Sequence, residues 1–267
     1  MRHSKAQIVA TIGPTSEEES VLRKMFLEQV DVVRLNFSWG DIKTRAEQIK
    51  RFRHLEKELG KKIPIIVDLP GPRLQDDGGH QYNKDASSAI TARDEELIKF
   101  AIDQGVDYIS VSFVSSSDDI EKCRTIVEKF SGNQKIIAKI ERAAALQNLD
   151  SIIEKADAVM IARGDLGNEI PLEQIPFVQA DIIKKCKAKN KPVITATQML
   201  TSMVKSETPS RADVTDIVNA ILEGSDAVML SEETAEGEYP IEAVEMMERS
   251  VLEAEKHMKG DLKINPL

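Results

Sequence analysis

The sequence predicts an α/β fold, a closed (β/α)8 barrel of the TIM type, on three observations. Eight short apolar runs recur along the chain, amphipathic stretches separate them, and 267 residues is the length that eight βα units occupy. The runs are 7–12, 31–36, 63–69, 107–114, 135–140, 156–162, 192–197 and 226–230. They are near-continuous in Val, Ile and Ala, the composition of parallel strands buried on both faces. Ser16-Glu17-Glu18-Glu19 predicts a capping box at the first helix, and Thr91-Ala92-Arg93-Asp94 predicts one at the helix after the third strand. Gly60, Gly105 and Gly224 fall just past helix ends, where a left-handed cap is wanted. An open doubly wound sheet is the alternative, but no G-x-G-x-x-G follows the first strand. The whole chain, 1–267, therefore reads as one barrel. Residues 71–90 are polar, contain glycine and show no period. They read as a flexible external connection, or as a mobile lid over the barrel mouth.

Composition excludes several classes of function. A net charge of −9 argues against nucleic-acid binding, though it permits a local cationic site. Aromatic residues make up only 4%, which leaves few stacking platforms. No apolar run is long enough to span a membrane, and Met1-Arg2-His3-Ser4-Lys5 does not open a signal peptide. Cys123 and Cys186 are the only cysteines, which points to a reducing, cytoplasmic setting. His3, His54, His80 and His257 are scattered, so neither a zinc site nor a catalytic triad is suggested.

In such a barrel the chemistry gathers at the C-terminal ends of the strands. Reading only those ends gives Arg34, Asn36 and Ser38; Asp68; Ser112; Lys139 and Glu141; Arg163-Gly164-Asp165; Thr197-Gln198; and Ser231-Glu232. Alternation along a strand places Lys139 with Glu141, and Arg34 with Asn36 and Ser38, on shared faces. Glu141 and Asp165, on neighbouring strands, can share Mg²⁺ or Mn²⁺, which favour carboxylates plus substrate oxygens. They can equally be neutralised by Lys139 and Arg163 in a structural ion-pair network. Arg34 and Lys139 suit a phosphate or carboxylate, and the Gly164 turn offers backbone N–H groups to an anion.

Together these strand ends resemble the catalytic barrel of pyruvate kinase, over about residues 6–257. The most specific stretches are Ala10-Thr11-Ile12-Gly13-Pro14, Arg34-Leu35-Asn36-Phe37-Ser38, Ala138-Lys139-Ile140-Glu141, Ala162-Arg163-Gly164-Asp165-Leu166-Gly167, Ala196-Thr197-Gln198-Met199-Leu200 and Met229-Leu230-Ser231. The resemblance implies that Glu141 and Asp165 hold Mg²⁺ or Mn²⁺, and that Asn36, Ser38, Asp68 and the Leu69 carbonyl hold K⁺. It implies catalytic roles for Lys139 and Arg34, which stabilise enolate and phosphoryl charge, and for Thr197, beside the carbon that is protonated. Substrate contacts are expected from Arg34, Ser112, Lys139, Gly164, Asp165, Thr197 and Gln198. The implied partners are phosphoenolpyruvate, pyruvate or another 2-oxoacid, with ADP or ATP, in a homo-oligomer, without nucleic acid or membrane.

The departures from the family are equally specific. Its inserted domain after the third strand is replaced by the short connection at 71–90, and its C-terminal domain is missing. Asp-Thr-Lys-Gly-Pro-Glu-Ile-Arg becomes Asp68-Leu69-Pro70-Gly71-Pro72-Arg73-Leu74-Gln75, so Gln75 replaces the terminal arginine. Trp39 stands for the histidine of Asn-Phe-Ser-His-Gly, Ala143-Ala144-Ala145 for a commonly acidic stretch, and Glu232 for the glycine of Met-Leu-Ser-Gly-Glu-Thr. Three readings follow: a minimal pyruvate kinase, a nucleotide-free metal-dependent lyase, aldolase or decarboxylase of 2-oxoacids, and a catalytically silent binding barrel. The enolate half of the site is expected to work, and ADP-dependent turnover to be weak or absent.

Overall fold

Eight parallel strands close into a barrel in the computed structural model, which describes residues 4–76, 79–83, 88–258 and 263–267, the side chains of 74–76 and 79–82 excepted. In chain order the strands are β1 (Gln7–Thr11), β2 (Val32–Asn36), β3 (Ile65–Asp68), β4 (Arg73–Asp76), β5 (Gly79–Tyr82), β6 (Tyr108–Val111), β7 (Lys135–Ile140), β8 (Ala158–Ala162), β9 (Val193–Ala196) and β10 (Ala227–Leu230). The barrel runs β1-β2-β3-β6-β7-β8-β9-β10, and β10 returns to β1 with Ile8 opposite Val228. Val9, Val32, Ile66, Ile137, Met160, Ile194 and Met229 fill the interior, and alternate residues such as Ile8, Val33 and Leu35 pack outward. Two-sided burial explains why the runs read as continuous rather than alternating.

The helices are α1 (Glu19–Leu27), α2 (Ile42–Leu59), α3 (Ala92–Asp103), α4 (Ser117–Lys129), α5 (Ala143–Gln147), α6 (Leu149–Lys155), α7 (Arg163–Leu166), α8 (Ile175–Ala188), α9 (Arg211–Glu223), α10 (Glu232–Ala235) and α11 (Pro240–His257). Among the described residues, none is long and apolar enough to cross a membrane. Thr91 and Asp94 form the expected capping box at α3. Ser116–Asp119 and Ser210–Asp213 form two more, at α4 and α9. Gly60, Gly105 and Gly224 all adopt positive φ. The expected box at Ser16 is not formed. Ser16 is buried and its hydroxyl accepts from Gly13 N–H at 3.2 Å, within the turn that leaves β1. Its oxygen is spent there, and α1 starts at Glu19 without a side-chain cap.

The bottom of the barrel carries a device repeated four times. Asp31, Asp107, Asp157 and Asp226 each precede an even-numbered barrel strand, and each carboxylate accepts an N–H from the first or second residue of the neighbouring odd strand. The bonds come from Ile8, Ile65, Ile136 and Val193, at 2.9, 3.0, 2.8 and 3.0 Å. The same aspartates return their own N–H to the carbonyls of those four residues. Each also meets a basic side chain: Lys61, Lys62, Arg124 and Lys187 respectively. Each of these four N–H groups faces its neighbour below the start of the strand ladder, where no carbonyl accepts it, and the carboxylate supplies the acceptor.

Residues 71–90 contain regular structure that their composition conceals. β4 and β5 pair antiparallel, with Arg73 opposite Tyr82 and Asp76 opposite Gly79. The intervening Asp77-Gly78 is a sequence type that favours a two-residue hairpin, and it was the available signal. Both residues, and 84–87, lie outside the described set, as does the Gln75 side chain.

Candidate functional site

A cleft of about 600 Å³ opens at the C-terminal ends of the strands. β2 delivers Arg34 and Asn36 to it, β7 delivers Lys139 and then Glu141, α7 presents Gly164 and Asp165, and the turn after β9 presents Thr197 and Gln198. Asp68, Leu69, Ser112 and Ser38 lie behind this lining rather than in it.

Lys139 is the hub. Its ammonium donates to Ser112 Oγ at 2.9 Å and to Asp68 Oδ1 at 3.2 Å. It also stands 2.8 Å from Glu141 Oε1 in an ion pair that lacks hydrogen-bond geometry. Arg34 donates through Nε to Asp68 Oδ2 and through Nη1 to Thr11 Oγ1 at 3.0 Å. Ser112 Oγ in turn donates a hydrogen bond to the Leu69 carbonyl at 2.7 Å. The ion-pair network expected for Lys139 is thus present. Arg163, by contrast, does not neutralise Asp165: the cation nearest Asp165 is Arg73, with Nη2 3.9 Å from Oδ2.

Two buried carboxyls respond in opposite ways. Burial would raise Asp68, but Arg34 and Lys139 overcome it and pull the carboxyl down to about 2. Burial raises Glu141, and the like charge of Asp165 adds to it, against the pull of Lys139. A folded pKa below the unfolded value gives stability that is complete above about pH 4 and lost as pH falls towards 2. For Asp68 this amounts to about 2 kcal/mol. Urea unfolding between pH 5 and pH 2 will show that limb in the wild type and not in Asp68→Asn. Parallel pH profiles for the two proteins would refute the assignment.

Three non-glycine residues at the mouth hold left-handed backbone: Phe113 at φ 56°, Thr197 at 64° and Gln198 at 55°. Such conformations cost about 1–3 kcal/mol each and persist only where the surroundings enforce them. Glu141 Oε2 accepts the Phe113 N–H at 2.6 Å. Arg163, which lies buried under the β9 turn, donates to the carbonyls of Ala196, Thr197 and Gln198 at 3.2, 2.6 and 3.3 Å. Its Nη1 is anchored by Asp216 at 2.7 Å. Glu233, at the start of α10, accepts from Leu200 N–H at 3.0 Å and Ser231 N–H at 2.7 Å. Glu233, and the turn-pinning role of Arg163, were missed in the sequence because a pinned turn leaves no local pattern; only their place beside strand ends hinted at them. The Gly164 N–H, expected to receive a substrate carboxylate, donates to Thr197 Oγ1 at 2.8 Å. Thr197 Oγ1 in turn donates to the Ala196 carbonyl at 2.6 Å.

The donor set suits cations. Glu141 Oε1 is buried without a hydrogen-bond donor, and Asp165 is a second carboxylate whose field reaches it. Ser38 Oγ is likewise buried without a partner, while Asn36 Oδ1 accepts only the Ser38 N–H at 3.0 Å among the described residues. Elsewhere, Glu19, His54 and Glu58 lie within reach of one another, but Arg23 pairs with both carboxylates.

Comparison with known proteins bears directly on this cleft. The sequence model of the family described as "Pyruvate kinase, barrel domain" matches residues 3–88 and 82–244. A pyruvate kinase of Thermococcus litoralis is 37% identical over 336 aligned positions, covering 96% of this chain and 71% of the relative. One from Agrobacterium vitis is 36% identical, covering 95% and 70%. One from Bacillus licheniformis is 36% identical, covering 91% and 56%. An alignment of 336 positions against 267 residues means that the relative carries stretches this chain lacks. The family match breaks at 82–88, where β5 ends.

Proposed function

Because the chain belongs to the pyruvate kinase family, we propose that it acts on phosphoenolpyruvate or pyruvate through an enolate, in the manner of a divalent-metal-dependent phosphotransferase. The observation that carries this reading is the convergence of Glu141 and Asp165 with Lys139, Arg34 and Thr197 in one cleft. Glu141 and Asp165 would hold Mg²⁺ or Mn²⁺, which when bound polarises the 2-oxo group and lowers the cost of the enolate. Lys139 places a fixed ammonium beside the enolate oxygen, in a buried setting where its field is poorly screened. Thr197 holds its hydroxyl rigidly at the cleft wall, next to the carbon that gains or loses a proton. Arg34 offers its remaining N–H groups to the anionic substrate. Asn36, Ser38, Asp68 and the Leu69 carbonyl would hold K⁺, with the unpartnered Ser38 hydroxyl as the supporting observation.

Phosphoryl transfer to ADP is the proposed whole reaction, in which the P–O bond of the enol ester breaks, ADP takes the phosphoryl group and the enolate carbon takes a proton. A nucleotide-free enolisation is the second reading. It is favoured by the short connection between β3 and α3, in which only the β4-β5 hairpin precedes the break in the family match, because closure over two anionic substrates normally excludes water. Proton NMR of pyruvate with the protein and Mg²⁺ in D₂O tests the shared core of both readings. Methyl-proton exchange is expected without any nucleotide. ADP-dependent pyruvate formation from phosphoenolpyruvate is expected to be weak, and a rate ordinary for a kinase would settle the choice for the first reading. No exchange, with metal bound, would remove both.

A further inference from the structure

Four basic side chains line the cleft: Arg34, Arg45, Arg73 and Lys139. Counting their donors separates them. Lys139 spends its ammonium on Asp68, Ser112 and Glu141. Arg45 gives Nη1 and Nη2 to Ile12 and Asn36 carbonyls, Gln48 and the Trp39 carbonyl. Arg34 is committed to Asp68 and Thr11 through two of its nitrogens. Arg73 donates only through Nε, to the Pro70 carbonyl at 3.0 Å, among the described residues. Its Nη2 lies 3.9 Å from Asp165, beyond hydrogen-bond range. Among the described residues both terminal nitrogens are thus without a hydrogen-bond acceptor, on a side chain only 13% exposed.

The chain is shaped to put it there. Gly71 has φ +64°, and a Cβ on it would stand 3.1 Å from the Phe113 ring and 3.2 Å from Ser112 Cβ. Only glycine lets the backbone pass so close in that conformation. The guanidinium then rests over the Phe113 ring, 5.0 Å from its centroid, a cation–π contact that restrains it. A planar fork with free N–H groups, held rigid beside two other cations, is suited to a tetrahedral oxyanion.

We propose that Arg73 binds the phosphoryl group of the substrate, supplying from the first residue of β4 the positive charge that Gln75 does not. The proposal rests on the reading of the cleft as a phosphoenolpyruvate site, and it makes Arg73 a ligand of the phosphorylated substrate but not of pyruvate.

The test compares Arg73→Gln and Arg73→Lys with the wild type in three titrations: phosphoenolpyruvate by calorimetry with Mg²⁺, pyruvate by the concentration dependence of methyl exchange, and Mn²⁺ by electron paramagnetic resonance. In Arg73→Gln the dissociation constant for phosphoenolpyruvate is expected to rise 10- to 100-fold. Pyruvate and Mn²⁺ should stay within twofold, and Arg73→Lys should fall between. Unchanged phosphoenolpyruvate binding would overturn the proposal. So would a parallel loss of all three ligands, which would mark Arg73 as a support for Asp165. A wild type that binds Mn²⁺ but neither organic acid would overturn the functional reading and this inference with it.

Discussion

Lys139→Met will abolish methyl-proton exchange of pyruvate while leaving divalent-metal binding in place. The methionine keeps the length of the lysine stem and removes the charge. What disappears is the one cation that touches Asp68, Ser112 and Glu141 together. Loss of a single preorganised group that meets developing charge costs about 10²–10³ in rate. The carboxylates proposed to hold the metal are untouched, and Glu141 loses a competitor for its Oε1. The fold is strained by the change, since Asp68 retains Arg34 but Glu141 keeps only the Phe113 N–H. Removing one partner of a buried pair costs about 3–5 kcal/mol. A thermal melt must therefore accompany the NMR measurement, and Lys139→Arg provides a charged control should the methionine variant unfold. Exchange at more than a tenth of the wild-type rate in a folded Lys139→Met protein would sink the role assigned to this lysine.

Metal affinity will fall sharply in Glu141→Gln and less in Asp165→Asn. Glu141 is fully buried, with its geometry fixed by Phe113, whereas the Asp165 side chain is 35% exposed and can be replaced in part by water. Loss of a group that merely orients a ligand already costs 10–100-fold in affinity, so losing the carboxylate charge at Glu141 should cost about 100-fold or more. Mn²⁺ titration followed by electron paramagnetic resonance reads this directly. The glutamine still accepts from Phe113 N–H and Lys139 keeps Asp68 and Ser112, but one partner of the buried Lys139–Glu141 pair is lost, so a thermal melt must accompany this titration too. Unchanged Mn²⁺ binding in both variants would show that these carboxylates are partners of Lys139 and Arg73 alone.

The closed barrel, its strand positions and the residues at the strand mouths were legible because they follow from period, burial and order along the chain. Cys123 and Cys186 proved buried and free. What stayed hidden is whatever depends on a side chain's second partner. Ser16 reads as a cap, but its hydroxyl is used by Gly13 in the preceding turn. Arg163 reads as a counter-ion for Asp165, yet the strained backbone at Thr197 and Gln198 draws it into the next loop. Arg73 passed unnoticed because attention falls on Gln75, the position where the family pattern is broken. The four aspartates were visible as Val30-Asp31-Val32, Val106-Asp107-Tyr108, Ala156-Asp157-Ala158 and Ser225-Asp226-Ala227, a weak internal repeat with spacing too irregular to stand out.

Those aspartates also set an order of events for a chain emerging from a ribosome. Each clasps two strands that are near neighbours in the barrel and adjacent in synthesis: β1 with β2, β3 with β6, β7 with β8, β9 with β10. Every clasp can therefore be completed as soon as the second strand of its pair is translated. The seam between β1 and β10 cannot, because Gln7 waits for Ala227. At about 5–20 residues per second that wait is roughly 10–45 s. Until then the β1 edge that faces β10 in the barrel has no strand to pair with.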